Sequence, residues 1–292
     1  MLYISAFFFL TFLSAIRDII TKKILKHSDP DVMAGITGLL ISFCLLPFIL
    51  YEWIKETIFS WSFLFVLTLW GSLYFAGKFF SFTSYKLGDI SYITPLKWLV
   101  TVFSIFTAFL LFGEIPTIYW FIGIFFIFIG IYVLGFKKST GFFWPFIHLF
   151  TDRASQIYLI AVLCYGFTVA IDKWGIALST PLFWVFCMNL ILFLWTSKKV
   201  FSERSSFLRE VSPYMGRFLV GTFLQAIVLL SQAYLIQKIP VSYISAFKWA
   251  SIIFVVFLGG YIFQEKDLKK RVFASCIVLL GIFIIILSEV QI

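Results

Sequence analysis

Ser91-Tyr92-Ile93-Thr94-Pro95-Leu96-Lys97-Trp98 recurs as Ser242-Tyr243-Ile244-Ser245-Ala246-Phe247-Lys248-Trp249, displaced by 151 residues. The register holds outward from there without a gap. Phe103 meets Phe254, Phe106 meets Phe257, Phe112 meets Phe263 and Glu114 meets Glu265. Nine of the 24 positions from Ser91 to Glu114 are identical, and Lys22 and Gly130 find Lys173 and Gly281 at the same offset. Apolar composition could supply the phenylalanine matches, but not a Lys-Trp pair and a closing Glu in register. The chain is therefore read as a duplicated unit of about 150 residues, with one lysine inside an apolar run of each copy.

The 292 residues are 62% hydrophobic and 13% charged, with a mean hydropathy of +1.03. Soluble domains are about 45–50% apolar and 25% charged, so this composition predicts a membrane protein. The net charge of +9 does not imply a nucleic-acid partner. The basic residues sit in short stretches between apolar runs, as topology signals do. Cys44, Cys164, Cys187 and Cys276 lie within apolar runs without CxxC spacing. They read as small buried side chains rather than disulfides or metal ligands. Residues 1–16 lack a basic leader and a small-residue cleavage site, and Arg17-Asp18 follow directly. An uncleaved first span is expected.

Apolar runs of about 17–25 residues predict ten transmembrane helices near 2–22, 32–51, 62–84, 90–112, 117–136, 154–172, 181–197, 216–236, 241–263 and 271–288. Only 137–153 and 198–215 read as longer loops. The expected fold is all-α: a first five-helix repeat at 1–136, a connecting loop at 137–153, and a second repeat at 154–292. Five is odd, so the second copy enters the membrane from the opposite side and the repeats are inverted. That plan recurs in secondary transporters, whose site lies between the repeats near the midplane.

A charge at the centre of a span costs about 2.5–3.5 kcal/mol, so each needs a reason. Ser14, Arg17, Asp18, Thr21 and Lys22 share one face of the first span. Asp18 is too short to snorkel far and is the candidate coupling group. Tyr74, Lys78, Ser81 and Tyr85 share a face of the third span, with Gly71 and Gly77 allowing close approach. Tyr165, Thr168 and Asp172 repeat the pattern in the sixth span, and Thr222, Gln225 and Gln232 in the eighth. Asp172 reads equally as an inward group or a solvated charge at a helix end.

Lys97 and Lys248 each lie about seven residues into their spans, roughly 10 Å deep in a core of about 30 Å. Inversion brings them toward the midplane from opposite faces. Thr94, Thr101 and Ser104 share the face of Lys97, and Ser245 and Ser251 that of Lys248. Trp98 and Trp249 either join the interfacial aromatic belt or wall the cavity beside the lysines. The candidate substrate-binding set is Lys97, Lys248, Trp98, Trp249, Lys78, Thr101, Ser104, Ser251, Tyr74 and Gln225, with Asp18 for coupling. Deep positive charge outnumbers deep negative charge, which predicts a small metabolite bearing an anionic group.

This pattern resembles the EamA-type transporters of the drug/metabolite transporter superfamily over essentially the whole chain. The local signature is Gly88-Asp89-Ile90-Ser91, then Pro95, then Gly113-Glu114, then the spaced Gly123 and Gly130. In the second copy Ser242, Glu265 and Gly281 match, while Ala246, Gln264 and Ala274 replace Pro95, Gly113 and Gly123. The resemblance implies alternating access with no chemistry done on the substrate, and a bacterial inner (plasma) membrane. Its members handle amino acids, sugars, nucleotide derivatives, cofactors and drugs. The paired lysines look similar to those of the plastid triose-phosphate translocator branch, where basic residues hold phosphate.

Three alternatives stand beside an anion carrier. One is an exporter of amino acids or of aromatic or neutral metabolites, with cargo stacked on the tryptophans; the others are a membrane-embedded enzyme and a passive channel. His27 and His148 fall in loops and no HExxH or GxSxG motif is present, so no catalytic constellation and no metal or cofactor is expected. The expected partners are the lipid bilayer, a small-molecule substrate, and protons or a counter-substrate, acting on a monomer.

Overall fold

The computed structural model describes residues 12–17, 20, 29–53, 60–87, 96, 99–113, 117–135, 147, 150–237 and 268–290. Among them no strand occurs. The helices are α1 (Pro30–Trp53), α2 (Trp61–Leu87), α3 (Leu99–Phe112), α4 (Ile118–Gly135), α5 (Arg153–Ala177), α6 (Pro181–Val211), α7 (Met215–Ile236) and α8 (Leu268–Val290). Residues 12–17 are also helical. Five stretches are long and apolar enough to cross a bilayer: Asp31–Tyr51, Trp61–Ser81, Arg153–Ala177, Pro181–Arg209 and Ser212–Ile236. Leu99–Phe112, Ile118–Gly130 and Val272–Ile285 are shorter apolar helices. Large apolar side chains stand exposed along these rods, Phe43 at 71% and Phe223 at 67% among them. Such surface along helices of spanning length suits a lipid surround.

The connections carry the caps their residues suggest. Asp29 Oδ1 accepts from the amides of Asp31 (2.8 Å) and Val32 (3.3 Å), and Pro30 opens α1. At the 151-residue offset, Thr180 Oγ1 accepts from Phe183 N at 3.2 Å and Pro181 opens α6. Both are an oxygen-bearing N-cap followed by a residue that lacks an N–H to satisfy. Asp152 caps α5 through Ser155 N at 2.8 Å, and Ser60 caps α2 through Phe63 N at 3.1 Å. Gly113, at φ +66, ends α3 with its N–H on the Phe109 carbonyl (3.0 Å). This left-handed C-cap suits glycine, which has no Cβ to clash.

The chain divides into two compact units, Met1–Gly71 with Asp172–Lys238, and Ser72–Ile171 with Ile239–Ile292. The divisions fall inside α2 and α5, so each unit draws on both halves of the sequence. In the first unit, α1 packs along α6. Gly35 lies against Thr196 and Val200, Gly38 against the Asn189 carbonyl, and Ser42 Oγ donates to the Phe186 carbonyl at 3.3 Å. Rising numbers on one helix meet falling numbers on the other, so the pair is antiparallel. In the second unit, α4 packs along α8 in the same sense. A Cβ on Gly123 would stand 2.5 Å from the Gly281 carbonyl, and one on Gly130 would stand 2.9 Å from the Ala274 carbonyl. Both pairs join helices that begin 151 residues apart or nearly so. The spaced glycines Gly123, Gly130 and Gly281 are what let the α4 and α8 backbones touch.

Two sequence expectations fail. Cys44 and Cys276, read as buried, stand exposed on outward faces of apolar helices, because hydropathy does not distinguish an inward from an outward face of such a helix. Residues 198–215 read as a loop, yet α6 continues through Val211 and a 3₁₀ turn at Ser212–Tyr214 leads directly into α7. The stretch is charged and therefore ended the apolar run. Val200, Phe207 and Val211 nevertheless recur at i, i+7 and i+11, one helical face, and are buried against Val32, Met33 and Phe218. Amphipathic periodicity, not hydropathy, carries the helix there. The predicted ninth span and most of the 137–153 connection lie outside the described residues.

Candidate functional site

The second unit holds a polar seam between the C-terminal part of α2, α3 and the N-terminal part of α5. On α2, Tyr74, Lys78 and Ser81 occupy one face at i, i+4 and i+7. Opposite them stands Tyr165 of α5. Its ring meets Tyr74 edge-on at 6.0 Å between centroids, and Ser81 Oγ donates to its hydroxyl at 3.5 Å. Gly77 makes this approach possible, since a Cβ there would lie 3.0 Å from the Tyr165 ring. One turn further on, Ser84 Oγ donates to the Ala154 carbonyl at 2.7 Å and ties α2 to the start of α5. The Lys78 ammonium nitrogen is buried within this unit.

On the α3 side, Gly166 presents bare backbone to Phe103, and Thr107 Oγ1 donates to the Gly166 carbonyl at 3.1 Å. Thr101 and Ser104 are both fully buried. They differ in availability. The Ser104 hydroxyl proton is committed to the Thr101 carbonyl at 2.8 Å, a common back-bond of serine in helices. Thr101 Oγ1 has no hydrogen-bond partner among the described residues. A buried hydroxyl without a partner costs about 1–3 kcal/mol, so of the two it is Thr101 that the described residues leave uncommitted. Leu96 and Leu99, which bracket Lys97-Trp98 in sequence, are buried with Val100, Ala154, Tyr158, Ala161 and Val162.

The first unit contains a different polar arrangement. Trp184 of α6 is 1% exposed and donates its indole N–H to Asp172 Oδ1 of α5 at 3.0 Å. Phe63 and Trp70 of α2 meet the Trp184 ring edge-on at 6.0 and 6.2 Å, and Gly175 lies directly against it. Asp172 stands five residues inside the end of α5, half-buried. It is thus a hydrogen-bonded inward group and not a fully solvated helix-end charge. Sequence reading missed Trp184, because only the α5–α6 hairpin brings position 184 beside position 172. It also left Tyr165 out of the substrate set, although that residue shared a polar face with Thr168 and Asp172.

Of the sequence-predicted site, Tyr74, Lys78, Thr101 and Ser104 fall in the second unit, on α2 and α3. Gln225 falls in the first, half-buried on α7 one turn from the buried Thr222. Asp18, Lys97, Trp98, Lys248, Trp249 and Ser251 lie outside the described residues.

The EamA-like transporter family matches the chain twice, over residues 1–136 and again over 154–287. Twenty-one solved chains also match. One, titled only as the crystal structure of a protein, superposes with a TM-score of 0.67 at 12% identity, covering 98% of each chain. That likeness speaks for the fold alone. No curated protein matches. Helical rods with lipid-facing phenylalanines and a double family match define a multi-pass integral membrane transporter of small molecules, in the drug/metabolite transporter class. The chain belongs to the EamA-like transporter family, whose members are transporters and not enzymes.

Proposed function

We propose that this protein is a ten-helix secondary transporter of two inverted five-helix repeats, 1–136 and 154–292, joined by 137–153. It moves a small anionic metabolite by alternating access. The observation that carries the reading is the antiparallel packing of helices related by the 151-residue offset. Inverted repeats pair in this way about an axis in the membrane plane, and α1 with α6 and α4 with α8 are such pairs. The cargo's anionic group is held between Lys97 and Lys248, each serving one access state. Lys78, Tyr74 and Gln225 line the path, with Thr101, Ser104, Trp98, Trp249 and Ser251 beside the lysines. The anion reading rests on charge. The sequence sets a repeated lysine, Lys97 and Lys248, in an apolar run of each copy, and an ammonium held in a dehydrated cavity calls for a counter-charge, which an anionic cargo would supply. The protein works as a monomer in a bacterial inner membrane and draws on a proton or a counter-substrate.

A second reading has its own support. The Tyr74–Tyr165 edge contact adds aromatic surface to the seam, as a flat neutral or aromatic cargo stacked on Trp98 and Trp249 would need. Counterflow in reconstituted vesicles decides between them. Vesicles preloaded with a candidate anion should accelerate uptake of the labelled compound, and Lys97→Gln with Lys248→Gln should remove the acceleration. Folded double variant that still exchanges the native substrate at parental affinity rules out the lysine clamp in favour of the tryptophan-lined site.

A further inference from the structure

α6 has 31 residues and is about 46 Å long, against a hydrocarbon core of about 30 Å. Its antiparallel neighbour α1 begins where Lys199 Nζ meets Asp29 Oδ2 at 2.7 Å and Asp31 Oδ2 at 3.3 Å. Beyond that ion pair α6 rises twelve more residues, about 18 Å. Its inner face is spent on packing, with Val200, Phe207 and Val211 buried against α1 and the start of α7. Roughly a quarter of the way round the helix from that face, Phe201 (64%) and Leu208 (48%) stand exposed, Phe201 with its ring edge-on to Phe193 at 6.2 Å, and Lys198, Arg204 and Arg209 are exposed around them. By helical angle the two apolar residues sit between Arg204 on one side and Lys198 and Arg209 on the other. None of the three basic side chains forms an ion pair among the described residues. Lys199, by contrast, is neutralised by its two aspartates.

Two further observations place this face at a bilayer surface. α7 runs down beside it, and Leu219 and Phe223, the residues following the Phe207–Phe218 ring contact (5.6 Å), are exposed and apolar. Lipid-facing surface therefore continues up to the level of the overhang. The first repeat also lacks the basic residues. At the 151-residue offset Ser197-Lys198-Lys199 corresponds to Leu46-Pro47-Phe48, and Arg204 and Arg209 to Trp53 and Ile58. Packing of the duplicated fold thus does not demand these charges.

We propose that the exposed face of the α6 overhang is a docking surface for anionic phospholipid headgroups of the adjoining leaflet. Phe201 and Leu208 enter the acyl boundary, and Lys198, Arg204 and Arg209 hold the phosphates. Basic residues flanking apolar anchors just beyond a span bind acidic lipid, each worth about fivefold in affinity. This does not depend on the nature of the cargo.

The test is native mass spectrometry of the delipidated full chain, titrated with phosphatidylglycerol or phosphatidylcholine. The parent is expected to retain phosphatidylglycerol in preference, and more weakly as salt rises. Arg204→Gln alone should reduce that preference by about fivefold, and Lys198→Gln, Arg204→Gln and Arg209→Gln together by up to about a hundredfold. Phe201→Ser with Leu208→Ser should weaken both lipids. Lys269→Gln with Lys270→Gln and Arg271→Gln, at the start of α8, serves as the charge-matched control. Equal losses in control and triple variant would reduce the effect to net charge and overturn the proposal. Unchanged preference in the folded triple variant would overturn it as well. Displacement of phosphatidylglycerol by inorganic phosphate at constant ionic strength would do so too, by assigning the surface to a soluble anion.

Discussion

At the residue scale the hydrogen bond from Trp184 to Asp172 is the clearest polar commitment in the first unit. The indole N–H removes part of the cost of a carboxylate in a half-buried helix face, and the ring itself fills the space that Gly175 leaves. Trp184→Phe keeps most of the ring and deletes the donor. It should destabilise the purified protein by about 1–2 kcal/mol, at the lower end for a hydrogen bond to a charged group because Asp172 retains some solvent. Trp184→Ala adds a cavity lined by Phe63, Trp70 and Gly175 and should cost more, about 3–5 kcal/mol. Thermal unfolding in one detergent measures both, and equal midpoints for Trp184→Phe and the parent would make the contact incidental. Asp18, which the sequence sets near the polar face of the first apolar run, is the proposed coupling group. Desolvation raises a carboxylate's pKa and a neighbouring cation lowers it, so a mixed environment can bring titration near working pH. Asp18→Asn should abolish proton-driven accumulation in vesicles while sparing exchange. Unaltered pH-dependent accumulation would pass the role to Asp172.

At the element scale the helix pairs α1–α6 and α4–α8 bring repeat-equivalent segments together, and α4–α8 depends on backbone contact. A Cβ on Gly281 would run into the Gly123 carbonyl and come within 2.9 Å of Phe126 Cβ. Backbone cannot move aside as a side-chain tip can. Gly281→Leu should therefore cost about 3 kcal/mol or more. Gly216→Ala at the start of α7, where a Cβ would meet nothing, should be near neutral. Comparable expression and melting of the two variants would contradict the close packing. These elements also mark how far the sequence could be read. α1, α2, α4, α7 and α8 were legible because an apolar run sets a span by hydropathy alone, and the Asp29-Pro30 and Thr180-Pro181 starts were legible as caps. The overhang of α6 was not, since its helix is held by three apolar residues among charges. The site was legible only one face at a time. Tyr74, Lys78 and Ser81 fall in line by periodicity, but that Tyr165 faces them and that Trp184 finds Asp172 are facts of helix pairing. Side-chain spacing within a single helix contains no information about either.

At the scale of the whole molecule, orientation follows from charge and can be tested directly. Of the 23 Lys and Arg residues, Arg17, Lys78, Lys97 and Lys248 are read as deep. Sixteen of the others lie on the side reached after odd-numbered spans, and three, Lys55, Lys173 and Lys238, on the opposite side. The structure trims this count only slightly. Lys199 is held by Asp29 and Asp31, and discounting it leaves fifteen against three. Lys198, Arg204, Arg209 and Arg217 remain exposed around the α6–α7 tip. The positive-inside rule then puts that tip in the cytoplasm and, for ten spans, both termini outside it. The resemblance to EamA-type transporters implies the reverse, so the two grounds make opposite forecasts for one experiment. The basic excess is spread over five separate connections, and no single reassigned residue reverses it. A reporter active only in the cytoplasm should be silent when fused after Ile292 and active when inserted at Ser212–Tyr214. A periplasm-active reporter should give the opposite pair of signals. Cytoplasmic activity at Ile292 with silence at the tip would refute the charge-based orientation. It would also move the basic α6 overhang to the outer leaflet, where its anionic lipids would then have to be sought.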